Sequence, residues 1–114
     1  MTDESLNELE QALLAWIAEQ SGDAALTAQL EAAALKRRDY TRTGFFVYLF
    51  APAELAAVEQ GVRPVCPLIL SDALYDGAGC NLFLREGRLH YLEIYARGGF
   101  LPEQMPRFQL VADS

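Results

Sequence analysis

The first thirty-five residues contain neither lysine nor arginine. They hold Asp3, Glu4, Glu8, Glu10, Glu19, Asp23 and Glu31, while the rest of the chain balances its acids against its bases. The whole formal net charge of −7 therefore falls on this segment. Neutralising phosphates takes clustered cations, so the distribution argues against nucleic acid as a partner. It suits a basic protein partner, or solubility alone. Histidine occurs once, at His90, and cysteine twice, at Cys66 and Cys80. A zinc site of the usual kind would need all three and a carboxylate to converge, and no spacing suggests it. No metal, no cofactor and no catalytic set is expected. The two cysteines read as reduced thiols packed in the core, with a redox or metal pair as the alternative. No uninterrupted apolar run is long enough to span a membrane. The opening Met1-Thr2-Asp3-Glu4-Ser5 lacks the basic start and apolar middle of a signal peptide. A cytoplasmic protein without membrane contact is the expectation.

What is present is ample apolar material: 52% of the 114 residues are hydrophobic, enough for a single domain over 1–114 with a core that needs no crosslinks. The organising stretch is Gly77 to Phe100. Cys80–Leu84 and Leu89–Tyr95 are rich in Leu, Phe, Ile and Tyr and free of proline, and Glu86-Gly87 joins them as a hairpin turn. Glu86 is a poorer first turn residue than Asn or Asp, so a type I turn with a glycine bulge is also open. A plain two-residue loop sets Leu84 opposite Leu89 and Leu82 opposite Tyr91. Cys80, Leu82, Leu84, Leu89, Tyr91 and Glu93 then share one face, and Asn81, Phe83, Arg85, Arg88, His90, Leu92 and Ile94 the other. Both faces keep apolar residues, so both are expected to be partly covered.

Ahead of the hairpin, Leu6, Leu9, Leu13, Trp16 and Ile17 recur at helical spacing, with Thr2 or Asp3 as cap and Ser21-Gly22 as stop. Asp23 can cap a second helix ending near Ala33. Leu35–Thr41 is a strand candidate, and Phe45–Phe50, dense in aromatic and β-branched residues, is the clearest central strand. Ala53–Gln60 reads as a short helix. Pro64–Leu74 reads as a strand broken or set at an edge by its prolines, and Arg107–Ala112 as a short last strand. Gly77-Ala78-Gly79 lacks the Lys-Ser/Thr end of a phosphate loop and precedes a strand, so it reads as a tight turn or bulge. The fold class is α+β: two N-terminal helices (1–34) packed on a mostly antiparallel sheet of about four to six strands (35–112).

Glu93 stands inside the apolar strand Tyr91–Tyr95, where a carboxylate needs a partner, water or a proton. Arg37, Arg38 and Arg97 are candidate partners, as are the Tyr40 and Tyr48 hydroxyls. Three roles follow: an ion pair that fixes the strand, a polar anchor in a shallow binding face with Tyr91, Tyr95, Arg38 and Arg97, or general acid–base work.

The run Arg38-Asp39-Tyr40-Thr41-x-x-Gly44-Phe45-Phe46, then Gly77-Ala78-Gly79-x-x-Leu82-Phe83-Leu84, then Gly87-x-Leu89-x-x-Leu92-Glu93 and Phe108-x-Leu110 resembles a group of small uncharacterised bacterial proteins. The likeness spans roughly residues 36–110. Arg42 stands where that pattern has a glycine, and Leu101-Pro102 where it has Trp-Pro. The resemblance implies no activity or cofactor. Some members look similar to cytoplasmic immunity proteins that neutralise toxins. Taken together, the leading expectation is a non-enzymatic protein-interaction module that meets a basic partner through its acidic helices. A homodimer and an enzyme or ligand binder centred on Glu93 are the alternatives.

Overall fold

The computed structural model describes residues 5–113. Helix α1 (Glu8–Ser21) starts at Asn7, whose side chain accepts the Glu10 N–H at 2.8 Å while Glu10 Oε1 accepts the Asn7 N–H at 2.9 Å. This reciprocal box satisfies two donors that a helix start leaves open. The sequence points to Thr2 or Asp3 instead, and both lie outside the described residues. Gly22 ends the helix in the left-handed conformation (φ 65°). Helix α2 (Ala24–Glu31) is capped by Asp23, as its sequence suggests.

Six strands follow: β1 (Ala34–Tyr40), β2 (Gly44–Phe50), β3 (Leu68–Leu70), β4 (Ala78–Arg85), β5 (Arg88–Ala96) and β6 (Gln109–Val111). They form one sheet in the order β1-β2-β5-β4-β3-β6, with every neighbouring pair antiparallel. The α+β architecture of N-terminal helices on an antiparallel sheet is therefore the one expected. Two local expectations are corrected. Ala53–Gln60 is not a helix. Its backbone is committed elsewhere: the Val58 N–H donates to Gly87 O at 2.9 Å, and Ala56 O accepts from Gln29. The stretch Pro64–Leu74 is strand only over Leu68–Leu70, because Pro64 and Pro67 bring no N–H to a ladder.

The β4–β5 hairpin turns on Glu86 (φ 52°) and Gly87 (φ 79°), the doubly left-handed geometry of a type I′ turn. A side chain on Gly87 would also meet Val58 O at 2.7 Å, so glycine is required twice over. Leu84 does face Leu89, but the next pair is Phe83 with Tyr91, and His90 is left over as a bulge. Beyond it Leu82 faces Leu92 rather than Tyr91, and the faces of β5 are exchanged from those expected. The energetics favour this. Without the bulge Leu92 would be outside and Glu93 inside. Burying a leucine is worth about 2 kcal/mol and burying an unpaired carboxylate costs several, against about 1 kcal/mol for a disrupted ladder bond.

The core lies between the helices and one face of the sheet. Leu13, Ile17 and Leu26 are fully buried there with Val47, Ile69 and Leu92, and Leu101 and Met105 close the layer from the last loop. Trp16 packs against this core without being sealed in it. Gln29 is completely buried, yet its amide donates to Ala56 O and Gly87 O, both at 2.9 Å, and accepts the Leu89 N–H at 3.1 Å. One side chain thus pins α2 to the hairpin turn and to the 52–62 loop. The body measures 40 × 39 × 19 Å. A thickness of 19 Å holds a sheet and one helical layer about 10 Å apart, with both described helices on one side of the sheet. Among the described residues, no helix is long and apolar enough to cross a membrane.

Candidate functional site

The far side of the sheet is the candidate site. Antiparallel partners point to the same face, so the register arranges its residues in cross-strand rows. The first row runs Arg37, Tyr48, Tyr91, Phe83; the second, Asp39, Phe46, Glu93, Asn81; the third, Gly44, Tyr95, Gly79. Five aromatic rings thus share a face that no helix covers.

The rings make a continuous surface. Phe83 and Tyr91 lie 4.6 Å apart between centroids, Tyr48 and Tyr91 5.5 Å, and Phe46 meets Tyr91 edge-on at 5.9 Å and 81°. Each such pair adds about 0.5–1.5 kcal/mol beyond its burial. The bulge brings His90 onto the same cluster, 5.0 Å from Tyr91 and 6.0 Å from Tyr48. A second bulge, at Lys36 in β1, lies at the other end of the first row. Beside it, the Arg37 guanidinium sits 4.3 Å over the Tyr48 ring and reaches Asp39 at 3.3 Å. Bulges re-aim side chains, and these two flank the aromatic row. Tyr95 lies over Gly79, where any side chain would strike its ring; a tyrosine covering a strand glycine shields backbone that would otherwise be bare.

Glu93 occupies the middle row, half-buried among these rings. Its one side-chain partner is the Asn81 amide, which donates to Oε1 at 3.4 Å. No cation of the described residues forms an ion pair with it. The carboxylate stands beside the rings with no counterion among the described residues. Glu93 and Tyr91 line none of the main clefts, while Gly79, Asn81, Phe83 and Tyr95 border one at the β4 edge. Its chemistry is that of a contact surface: π faces, one carboxylate, one amide and a cation at the edge.

The structure brings together Tyr91, Glu93 and Tyr95 of the expected site and leaves out its arginines. Arg38 points to the inner side, where Nε and Nη2 each bind a Glu10 carboxylate oxygen at 2.6 Å. Glu10 is 1% exposed, so this fork ties the start of α1 to β1. Arg97 lies just past β5, exposed, its N–H bonded to Gly77 O at 3.0 Å. Tyr40, offered as a hydroxyl for Glu93, instead donates to Leu101 O on the inner side. Phe46 and Phe83 are the residues that sequence reasoning missed; Arg37 and Tyr48, offered there as partners for Glu93, share its face. The alternation Phe46-x-Tyr48 and Asn81-x-Phe83 carried the signal, but only the correct register shows that the two runs share a face with Glu93.

The acidic helical layer is weaker than its composition implies. Glu10 is consumed by Arg38 and Asp23 by the α2 cap. Of the described acids there, Glu8, Glu19 and Glu31 remain exposed and spread along two helices. Among the described residues, no group of three or more His, Cys, Asp or Glu side chains is placed to hold a metal ion. Compared with known proteins, the chain matches no family model, no curated protein and no solved structure.

Proposed function

We propose that the protein is a non-enzymatic recognition module that binds a basic protein partner through the open aromatic face of its sheet. The observation that carries this is Glu93: a half-buried carboxylate without a cation among the described residues, set among Phe46, Tyr48, Tyr91 and Tyr95. A lysine or arginine from a partner would supply the missing charge and stack on the rings, which attract cations through their negative faces. Tyrosine, phenylalanine and arginine are also the residues that concentrate binding energy at protein interfaces. Aromatic rows of this kind can stack nucleobases as well, but Asp39 and Glu93 in the middle row would repel phosphates. The reading moves the contact from the acidic helices to the sheet and keeps a basic partner. An immunity-like role in the cytoplasm, with a basic toxin domain as target, is one form of it.

A second copy of the chain is the competing occupant, because the face carries both Arg37 and Glu93 and can complement itself. Sedimentation over a wide concentration range separates the two, since a monomer throughout excludes the dimer.

Titration with a short arginine–glycine peptide, followed by two-dimensional NMR, tests the proposal. Shifts should concentrate on Phe46, Tyr91, Glu93 and Tyr95, fade with added salt, and vanish in Glu93→Gln. Shifts confined to Glu8, Glu19 and Glu31 would return the contact to the helices and overturn the sheet-face reading.

A further inference from the structure

The cleft between β4 and the loop ahead of β3 holds both cysteines. It encloses about 500 Å³ and is lined by Arg63, Cys66, Pro67, Cys80, Asn81 and Phe83 among others. Cys66 is half-exposed, on the loop; Cys80 is buried, on β4, and its S–H reaches Pro67 O at 3.5 Å. Both cysteines are free, and the bond to Pro67 O sets the Cys80 sulfur against the residue that follows Cys66. We propose that Cys66 and Cys80 are a peroxide-reactive pair that closes to a reversible disulfide within the chain, with Cys66 attacking and Cys80 resolving.

Accessibility and charge distinguish the two roles. Cys66 lines the cleft and is the less buried of the two thiols, the access that a reactive cysteine needs. The neighbouring Cys80 thiol holds the Cys66 thiol below its ordinary value, helped by the Leu82 backbone and opposed by burial. The same contact, with burial, pushes Cys80 up, so Cys80 stays protonated until its partner is oxidised.

In the first step the Cys66 thiolate attacks one oxygen of a hydroperoxide, and the O–O bond breaks. Sulfur is oxidised to sulfenic acid, and the peroxide is reduced to an alcohol or water after taking a proton. In the second, the Cys80 sulfur attacks the Cys66 sulfur as its proton leaves with the departing hydroxide, giving water and the S–S bond. The bond would close where the sheet is thinnest. β3 is joined to β4 at a single ladder position, Ile69 with Ala78, and carries β6 on its other edge. A disulfide from the loop to β4 would hold the β3–β6 edge to the main sheet, beside Asn81 and Phe83 of the aromatic face.

The test is to treat the folded full-length protein with hydrogen peroxide and map peptides by mass spectrometry. A Cys66–Cys80 crosslink is expected, reversed by dithiothreitol, with a raised melting temperature and slower hydrogen exchange over 68–70 and 109–111. In Cys80→Ser, dimedone should trap a sulfenic acid at Cys66; in Cys66→Ser, neither crosslink nor adduct should form. At neutral pH iodoacetamide should alkylate Cys66 about tenfold faster than Cys80. A crosslink that forms only in denaturant, a disulfide only between chains, or dimedone on Cys80 would each overturn the proposal.

Discussion

On the inner face of the sheet Val47, Leu82, Leu92 and Ile94 meet the two helices, whereas on the outer face Phe46, Tyr48, Phe83 and Tyr91 meet one another. Both faces are rich in apolar carbon, and both contain an arginine and a glutamate. Inside, Arg38 and Glu10 neutralise each other in a two-bond fork with the carboxylate buried. Outside, Arg37 lies over a ring and turns to Asp39, while Glu93 keeps only an amide. The contrast separates holding the fold together from being available to a partner. The inner charges are paired, whereas Glu93 has no ion pair among the described residues and stands beside rings; on the proposed reading that leaves it for a partner's cation.

Arg38→Met should cause the largest loss, since it strands a buried carboxylate. About 3–5 kcal/mol of stability should disappear in urea unfolding, and Glu10→Gln on the same background should restore much of it. Gln29→Ala comes next, at about 2–3 kcal/mol, because it leaves the Leu89 N–H and Ala56 O without partners and takes one of two donors from Gly87 O; hydrogen exchange at Leu89 should rise with it. The outer face should answer in binding rather than stability. Tyr91→Ala should cost about 1 kcal/mol of folding yet weaken the arginine–glycine peptide at least about tenfold. Arg37→Gln should remove about 0.5–1 kcal/mol, read as a small shift in the urea midpoint. The joint replacement of Glu8, Glu19 and Glu31 by glutamine should move stability by no more than about 0.5 kcal/mol and change peptide affinity least. Equal binding losses from Tyr91→Ala and from the helical triple replacement would erase the distinction between the faces.

Much of the scaffold could be read from residue pattern. The stripe Leu9, Leu13, Ile17, the stop at Gly22, the cap at Asp23 and the turn at Gly87 are local signals, and each lies where local chemistry puts it. The Phe45–Phe50 run is an interior strand for the same reason. Ala53–Gln60 misleads because its alanines favour a helix in isolation, while Gly87 and Gln29 claim its backbone groups from a distance. The candidate site was half legible. Tyr91, Glu93 and Tyr95 stand out as a tyrosine-framed acid in an apolar strand. Arg38 does not join them, because a carboxylate twenty-eight positions earlier binds it first.

Composition and periodicity alone settled the two helices and the long strands, though not the 53–74 stretch, since caps, turns and apolar spacing act within a few residues of one another. The bulge at His90 needed the assembled molecule. Whether Leu92 or Glu93 faces the helices depends on comparing the burial of one side chain with the exposure of the other, and that comparison exists only once both layers are in place. The same choice put five rings and a carboxylate on the uncovered side.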